Sequence, residues 1–132
     1  MRTYRLILIG FGNVGQGFAQ ILREQGEELA AQGLQAVIVA VSDLLKGSVY
    51  RPAGFSPAEL LDTVQAGKSL ETLDATAKGW DARRTIAECE ADVLVLVLLP
   101  RIVEHLPFFP FLCLIIKMIR YTNIGTKTWH IN

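Results

Sequence analysis

Cysteine and histidine are scarce in this chain of 132 residues, with two of each. Cys89 and Cys113 stand far apart, with no C-x-x-C pair and no histidine pair beside either. That argues against a disulfide framework and a zinc site, so no metal ligands are assigned and a reducing cytoplasm is the expected compartment. His105 and His130 have no nucleophile or carboxylate at a recognisable spacing, and no catalytic residue is assigned. An excess of one charge is also lacking, because 13 basic and 13 acidic residues cancel. No global field therefore points to nucleic acid or to an anionic membrane. Nor does any apolar run reach the ~20 residues of a membrane span. The best candidate, residues 106–116 (LPFFPFLCLII), is short and broken by Pro107 and Pro110. The N-terminal MRTYRLILIGFG lacks the small-residue cleavage site of a secretory signal and reads as a buried strand.

What is present suits one globular domain: 51% hydrophobic and 20% charged residues, with no repeat and no low-complexity linker. Tyr4 to Ile9 reads as a strand bounded by glycine. From Asn13 the period changes, and Val14, Phe18, Ile21 and Leu22, continued by Leu29, mark one face of a helix ending near Gly33. Gln35 to Ser42 is a second strand, apolar nearly throughout, as suits a sheet covered on both faces. Asp43 to Phe55 reads as a loop by its glycines and proline. Ser56, Pro57 and Glu59 signal a capped helix whose stripe is Leu60, Leu61 and Val64, closed by Gly67. Lys68 to Trp80 reads as loop. Asp81 caps a short helix to about Glu90 with Ile86 inward, and residues 91–99 form a third buried strand stopped by Pro100. Phe55, Trp80 and Cys89 read as packing residues. Alternating strands and helices predict an α/β fold: a Rossmann-like, doubly wound parallel sheet, partial, with three strands.

Gly10-Phe11-Gly12-Asn13-Val14-Gly15 matches G-x-G-x-x-G between the first strand and the first helix. In that motif the first glycine permits the tight turn, and the second leaves room for a pyrophosphate at the backbone. The third lets helix and strand approach closely, and the helix N-terminus faces the phosphates. An acidic residue closing the second strand would hold the adenosine ribose. Asp43 is the candidate, although it comes later than usual and also reads as the plain start of a loop. Lys46 and Arg51 read either as partners for a 2′-phosphate or as solvated loop charges, so both NAD and NADP remain open.

The stretches GFGNVGQGFAQIL, VIVAVSDLLKGSVYRPAGF and ADVLV together resemble the nucleotide-binding region of homoserine dehydrogenases, from about residue 3 to about residue 95. The resemblance implies reversible NAD(P)H-dependent reduction of L-aspartate 4-semialdehyde to L-homoserine. It implies that Phe11, Gly12, Asn13, Val14 and Gly15 line the pyrophosphate, that Ser42 and Asp43 lie near the ribose, and that the third strand ends near the nicotinamide. The full set of expected cofactor contacts is Gly10, Phe11, Gly12, Asn13, Val14, Gly15, Ser42, Asp43 and Lys46.

The chain then departs from the family. Leu96-Val97-Leu98-Leu99-Pro100 stands where an acidic residue and a threonine-proline pair are usual, and the amphipathic helix expected next is lacking. Thr122-Asn123-Ile124-Gly125 has isoleucine where the family's catalytic lysine stands, and Lys127 is not given that role. The expectation is an NAD(P)-binding Rossmann domain over residues 1–99 and a divergent apolar tail over 100–132, truncated or out of frame, without the family's catalytic and dimerising half. Expected partners are the dinucleotide, an amino-acid substrate in the full enzyme, and a second copy of the chain in a homo-oligomer. The alternative is a stand-alone NAD(P)-binding or redox-sensing module acting through a partner, with the tail as its interaction surface.

Overall fold

Alternation of apolar residues across two faces of one strand organises the whole molecule. In the computed structural model, which describes residues 1–98, 114–123 and 126–131, strand β1 (Arg2–Ile9) lies at the centre of a seven-stranded sheet. Leu8 faces one hydrophobic cluster and Ile7 the other, and both are fully buried. β1 pairs in parallel with β2 (Leu34–Asp43) on one side and with β5 (Val93–Leu98) on the other. These three are the parallel strands expected from the sequence.

Helices cover both faces. Helix α1 (Asn13–Ala31) crosses from β1 to β2 and packs beside α2 (Pro57–Gln65) over Leu8, Ile38, Val41 and Val95. Helix α3 (Ala82–Glu88) lies on the opposite face, where Ile86 joins Ile7, Val39, Ala40 and Leu94. α2 begins as its sequence dictates: Ser56 Oγ accepts from Glu59 N–H, and the Glu59 carboxylate accepts from Ser56 N–H. Its Leu60 and Leu61 are buried, each stabilising the fold by about 1.5–3 kcal/mol. Asp81 caps α3 by accepting from Arg84 N–H.

One face is shaped differently from the reading of the sequence. In α1 the buried positions are Gly15 and Ala19, whereas Ile21 is half exposed. Small residues at the centre of the contact bring the helix close to the sheet, which leaves Phe18 and Leu22 at its margins and turns Ile21 outward. β2 also carries a bulge. Leu6 pairs with Ile38 but Ile7 with Ala40, so the unpaired Val39 and its neighbour Ala40 both join the α3-side cluster.

The expected loop over residues 43–55 is corrected. Gly47–Phe55 is a strand, β3, returning antiparallel along β2 after a short turn, and so brief a connection cannot make a parallel pair. Arg51 to Gly54 swell out of the ladder between the pairs Ala40↔Tyr50 and Ile38↔Phe55. Arg51 closes that swelling: its Nε donates to Gly54 O at 2.9 Å, one Nη to Asp74 O at 3.0 Å, and the other to Glu59 Oε1 at 2.7 Å. The guanidinium also lies 4.2 Å from the centre of the Phe55 ring. Arg51 is thus a part-buried rivet rather than a solvated loop charge. Residues 68–80 gain a 3₁₀ turn (Leu70–Thr72) and a two-residue strand, β4 (Ala77–Lys78), paired with β3. Trp80 stacks on Tyr50 at 5.9 Å, with the Arg84 guanidinium 4.5 Å from its ring centre.

On the far side of β5, strands β6 (Leu114–Asn123) and β7 (Thr126–Ile131) extend the same sheet as an antiparallel hairpin, with Val93 opposite Ile119 and Leu98 opposite Leu114. Pro100, His105, Cys113, Ile124 and most of the 106–116 run lie outside the described residues. No helix among the described residues is long and apolar enough to cross a membrane.

Because three separate segments meet at one guanidinium, Arg51→Met is expected to cost about 1–3 kcal/mol in denaturant unfolding, with little recovered by Arg51→Lys. A loss under about 0.5 kcal/mol would show that the three bonds contribute nothing net.

Candidate functional site

The carboxyl ends of β1 and β2 meet beside the start of α1. Gly10 N–H donates to Ser42 O at 2.8 Å, which carries the β1–β2 ladder into the glycine loop. The strand order β2-β1-β5 places β1 where the chain reverses its direction of winding, the position at which open α/β sheets bind ligands.

The three glycines are required for three different reasons. Gly10 has φ +97°, a backbone region that favours glycine. At Gly15 a Cβ would lie 2.6 Å from Gly10 O, so only glycine allows α1 this close to the end of β1. At Gly12 φ is −77° and a Cβ would meet nothing within 4 Å. Neither the backbone nor the packing of the protein needs glycine there; its missing side chain opens space only outward. Gly12 is also the N-cap of α1, with no side-chain cap. The first intrahelical bond runs from Gln16 N–H to Gly12 O at 2.9 Å, so the N–H groups of Asn13, Val14 and Gly15 have no acceptor within the helix. The positive end of a helix of 19 residues thus faces that open space.

Phe11 is held at every part. Its ring is fully buried, its N–H donates to Asp43 Oδ2 at 2.7 Å, and its carbonyl accepts from Gln16 Nε2 at 3.0 Å. The other oxygen of Asp43 accepts from Leu45 N–H at 2.9 Å and Lys46 N–H at 2.8 Å. Burial by itself pushes the Asp43 carboxyl up. The N–H donors of Phe11, Lys46 and Leu45, helped by the Lys46 charge, outweigh it and hold the group below the usual carboxylate range.

Ser42 lies beside Asp43 in sequence but is buried on the α3 side of the sheet. Its hydroxyl donates to Trp80 O at 3.3 Å and so accepts from Ser48 Oγ at 3.0 Å. Gly10 to Gly15, Asp43 and Lys46 are therefore gathered at one corner, whereas the Ser42 hydroxyl is committed elsewhere. Leu44 and Leu45 belong to no sequence motif, yet both are almost wholly exposed at the turn next to Asp43. Two leucines in a row inside a short turn were the available signal. Among the described residues no group of three or more His, Cys, Asp or Glu could hold a metal ion.

Glu59 is also held below its ordinary range: burial raises it, but Ser56 N–H and the Arg51 guanidinium more than compensate. For depressed carboxyls the stabilisation is complete above the unfolded values of about 3.9 (Asp) and 4.3 (Glu), and is lost as pH falls through the lower folded values. Denaturant unfolding at successive pH values is therefore expected to show stability falling on the acid side of pH 4. Glu59→Gln is expected to flatten that limb. An acid limb of undiminished slope would remove Glu59 from the account.

Comparison with known proteins places the chain among dehydrogenases. The family model for Glutamate/Leucine/Phenylalanine/Valine dehydrogenase matches residues 1–101. An NAD(+)-dependent homoserine dehydrogenase from Pseudomonas canavaninivorans is 30% identical over 95 residues, which are 71% of this chain and 27% of that protein. The crystal structure of a putative homoserine dehydrogenase from Archaeoglobus fulgidus superimposes with a TM-score of 0.54 at 27% identity, over 69% of this chain and 26% of that one. The chain thus spans about a quarter of the length of these two relatives. With its glycine corner, its Rossmann-like sheet and a match running through the described part of β5, the chain belongs to the Glutamate/Leucine/Phenylalanine/Valine dehydrogenase family and resembles the N-terminal region of homoserine dehydrogenases.

Proposed function

We propose that this chain is the nicotinamide-dinucleotide-binding region of a homoserine-dehydrogenase-like oxidoreductase, serving the reversible interconversion of L-aspartate 4-semialdehyde and L-homoserine with NAD or NADP. The observation that carries the reading is Gly12, bare of a side chain for no reason internal to the protein and seated at an uncapped helix N-terminus. The residues present fit a pyrophosphate. Gly12 leaves the approach open, and the N–H groups of Asn13, Val14 and Gly15 and the positive helix end offer donors to its oxygens. Asp43 and Lys46 would stand at the ribose end, and the exposed Leu44 and Leu45 offer apolar surface for an adenine ring to cover. The bound dinucleotide supplies or accepts the hydride. What this chain contributes is grip and orientation, with the nicotinamide end expected toward the carboxyl end of β5.

Substitution at the second and third glycines separates a ligand role from a packing role. Gly12→Ala is expected to cost no more than about 1 kcal/mol of stability, the difference between glycine and alanine at an N-cap. It is expected to raise the Kd for NADH or NADPH, measured by calorimetry, on the order of tenfold or more. Gly15→Ala, which drives a Cβ into the Gly10 carbonyl, is expected to cost more stability, about 1–3 kcal/mol. Unchanged nucleotide affinity in Gly12→Ala would remove the cofactor reading.

A further inference from the structure

The Asp43 carboxylate is placed where a dehydrogenase of this fold would be expected to take hold of the ribose, yet most of its acceptor capacity is already committed. A carboxylate offers roughly four acceptor directions. Phe11 N–H takes one on Oδ2, while Leu45 and Lys46 N–H take two on Oδ1. The three donors come from two separate segments: the glycine loop, and the turn that joins β2 to β3. We propose that Asp43 serves the cofactor indirectly, as a positioning residue that clasps the glycine loop to the β2–β3 turn.

Several observations make the clasp more than a local turn. Phe11 is the one residue between Gly10 and Gly12, and its fixed orientation sets that of the Gly12–Asn13 backbone that follows. With the Phe11 ring buried and its carbonyl held by Gln16, its N–H is the last free point of attachment, and Asp43 takes it. That bond is short, 2.7 Å, and its acceptor is an ionised group, which places it among the stronger hydrogen bonds. The Phe11 N–H is therefore committed to the protein. The donors left for phosphate begin at Gly12, and they are fixed before a ligand arrives. The same carboxylate fastens the turn that presents Leu44 and Leu45, so one side chain sets the spacing between the phosphate cradle and the apolar surface beside it. A group that orders both segments contributes equally to any dinucleotide that uses them, whether or not a 2′-phosphate is present.

This inference rests on the cofactor reading, and two measurements on the whole chain keep the two apart. Residue-resolved amide hydrogen exchange of the unsubstituted chain is expected to show the Phe11 N–H protected together with the strand amides of Leu8 and Val41. In Asp43→Ala that protection is expected to vanish at Phe11, Leu45 and Lys46 while persisting at Leu8 and Val41. Titration with NADH and with NADPH is expected to give Kd values that rise together in Asp43→Ala, on the order of tenfold, with their ratio unchanged. A Phe11 N–H that exchanges freely in the unsubstituted chain overturns the proposal without any variant having to fold. So does a variant that keeps Phe11 protected. A shift of the NADH-to-NADPH ratio by about tenfold also overturns it, since that is the mark of a direct ribose contact. If the unsubstituted chain binds neither nucleotide while the exchange pattern holds, the clasp is supported and the cofactor reading falls.

Discussion

Everything at the functional corner depends on how closely α1 approaches the end of β1. That distance is set by Gly15, whose Cα hydrogen occupies the place where any side chain would strike the Gly10 carbonyl. Ala19, one turn later, continues the small surface and is fully buried. With the helix drawn in, its N-terminus points across the carboxyl ends of β1 and β2, and Phe11 is pressed into the core beneath the loop. A wider separation would leave Phe11 without its packing and the Gln16 side chain without its reach to the Phe11 carbonyl. Loop conformation and the direction of the helix dipole at this corner therefore follow from one contact between two glycines.

Around that contact the molecule is braced by polar groups placed where apolar packing cannot decide the geometry. Arg51 ties the swelling of β3 to the start of α2 and to the segment after the 3₁₀ turn. Ser42, Ser48 and the Trp80 carbonyl join β2, β3 and the approach to α3 on the opposite face. Asp92 does similar work at the other end of β1, receiving both the Arg5 N–H and its guanidinium. Each of these groups is largely satisfied within the protein. The N–H groups at the start of α1 differ, because nothing in the helix accepts from them. On the cofactor reading proposed above, these are the donors a pyrophosphate would take.

Local signals and the alternation that gives the parallel core survived the passage from sequence to structure, whereas features made by remote partners did not. Ser56, Pro57 and Glu59 specify a helix start within four residues, and both bonds of the capping box are present. The glycine loop is equally local, since the tight turn at Gly10 and the close helix packing at Gly15 both arise within six residues. β3 was hidden because Gly47, Pro52 and Gly54 carry the composition of a loop. Its strand character comes from pairing with β2, and its irregular middle is held by Arg51, whose partners Glu59 and Asp74 are remote in sequence. Ile21 shows the same limit from the other side. Its spacing fits the apolar stripe, yet the face that closes on the sheet is centred on Gly15 and Ala19. Asp43 was recognisable as a residue of consequence, but its three donors become visible only when the β2–β3 turn and the glycine loop are brought together.

The decisive question is whether phosphate meets the start of α1. Amide chemical-shift mapping of the chain during titration with NADH tests this most directly. The predicted result is a set of shifts concentrated at Gly12, Asn13, Val14 and Gly15, spreading to Leu44 and Leu45, with the β4 edge of the sheet unmoved. Saturating nucleotide that leaves the four loop amides where they were, or that moves only residues remote from them, would contradict it.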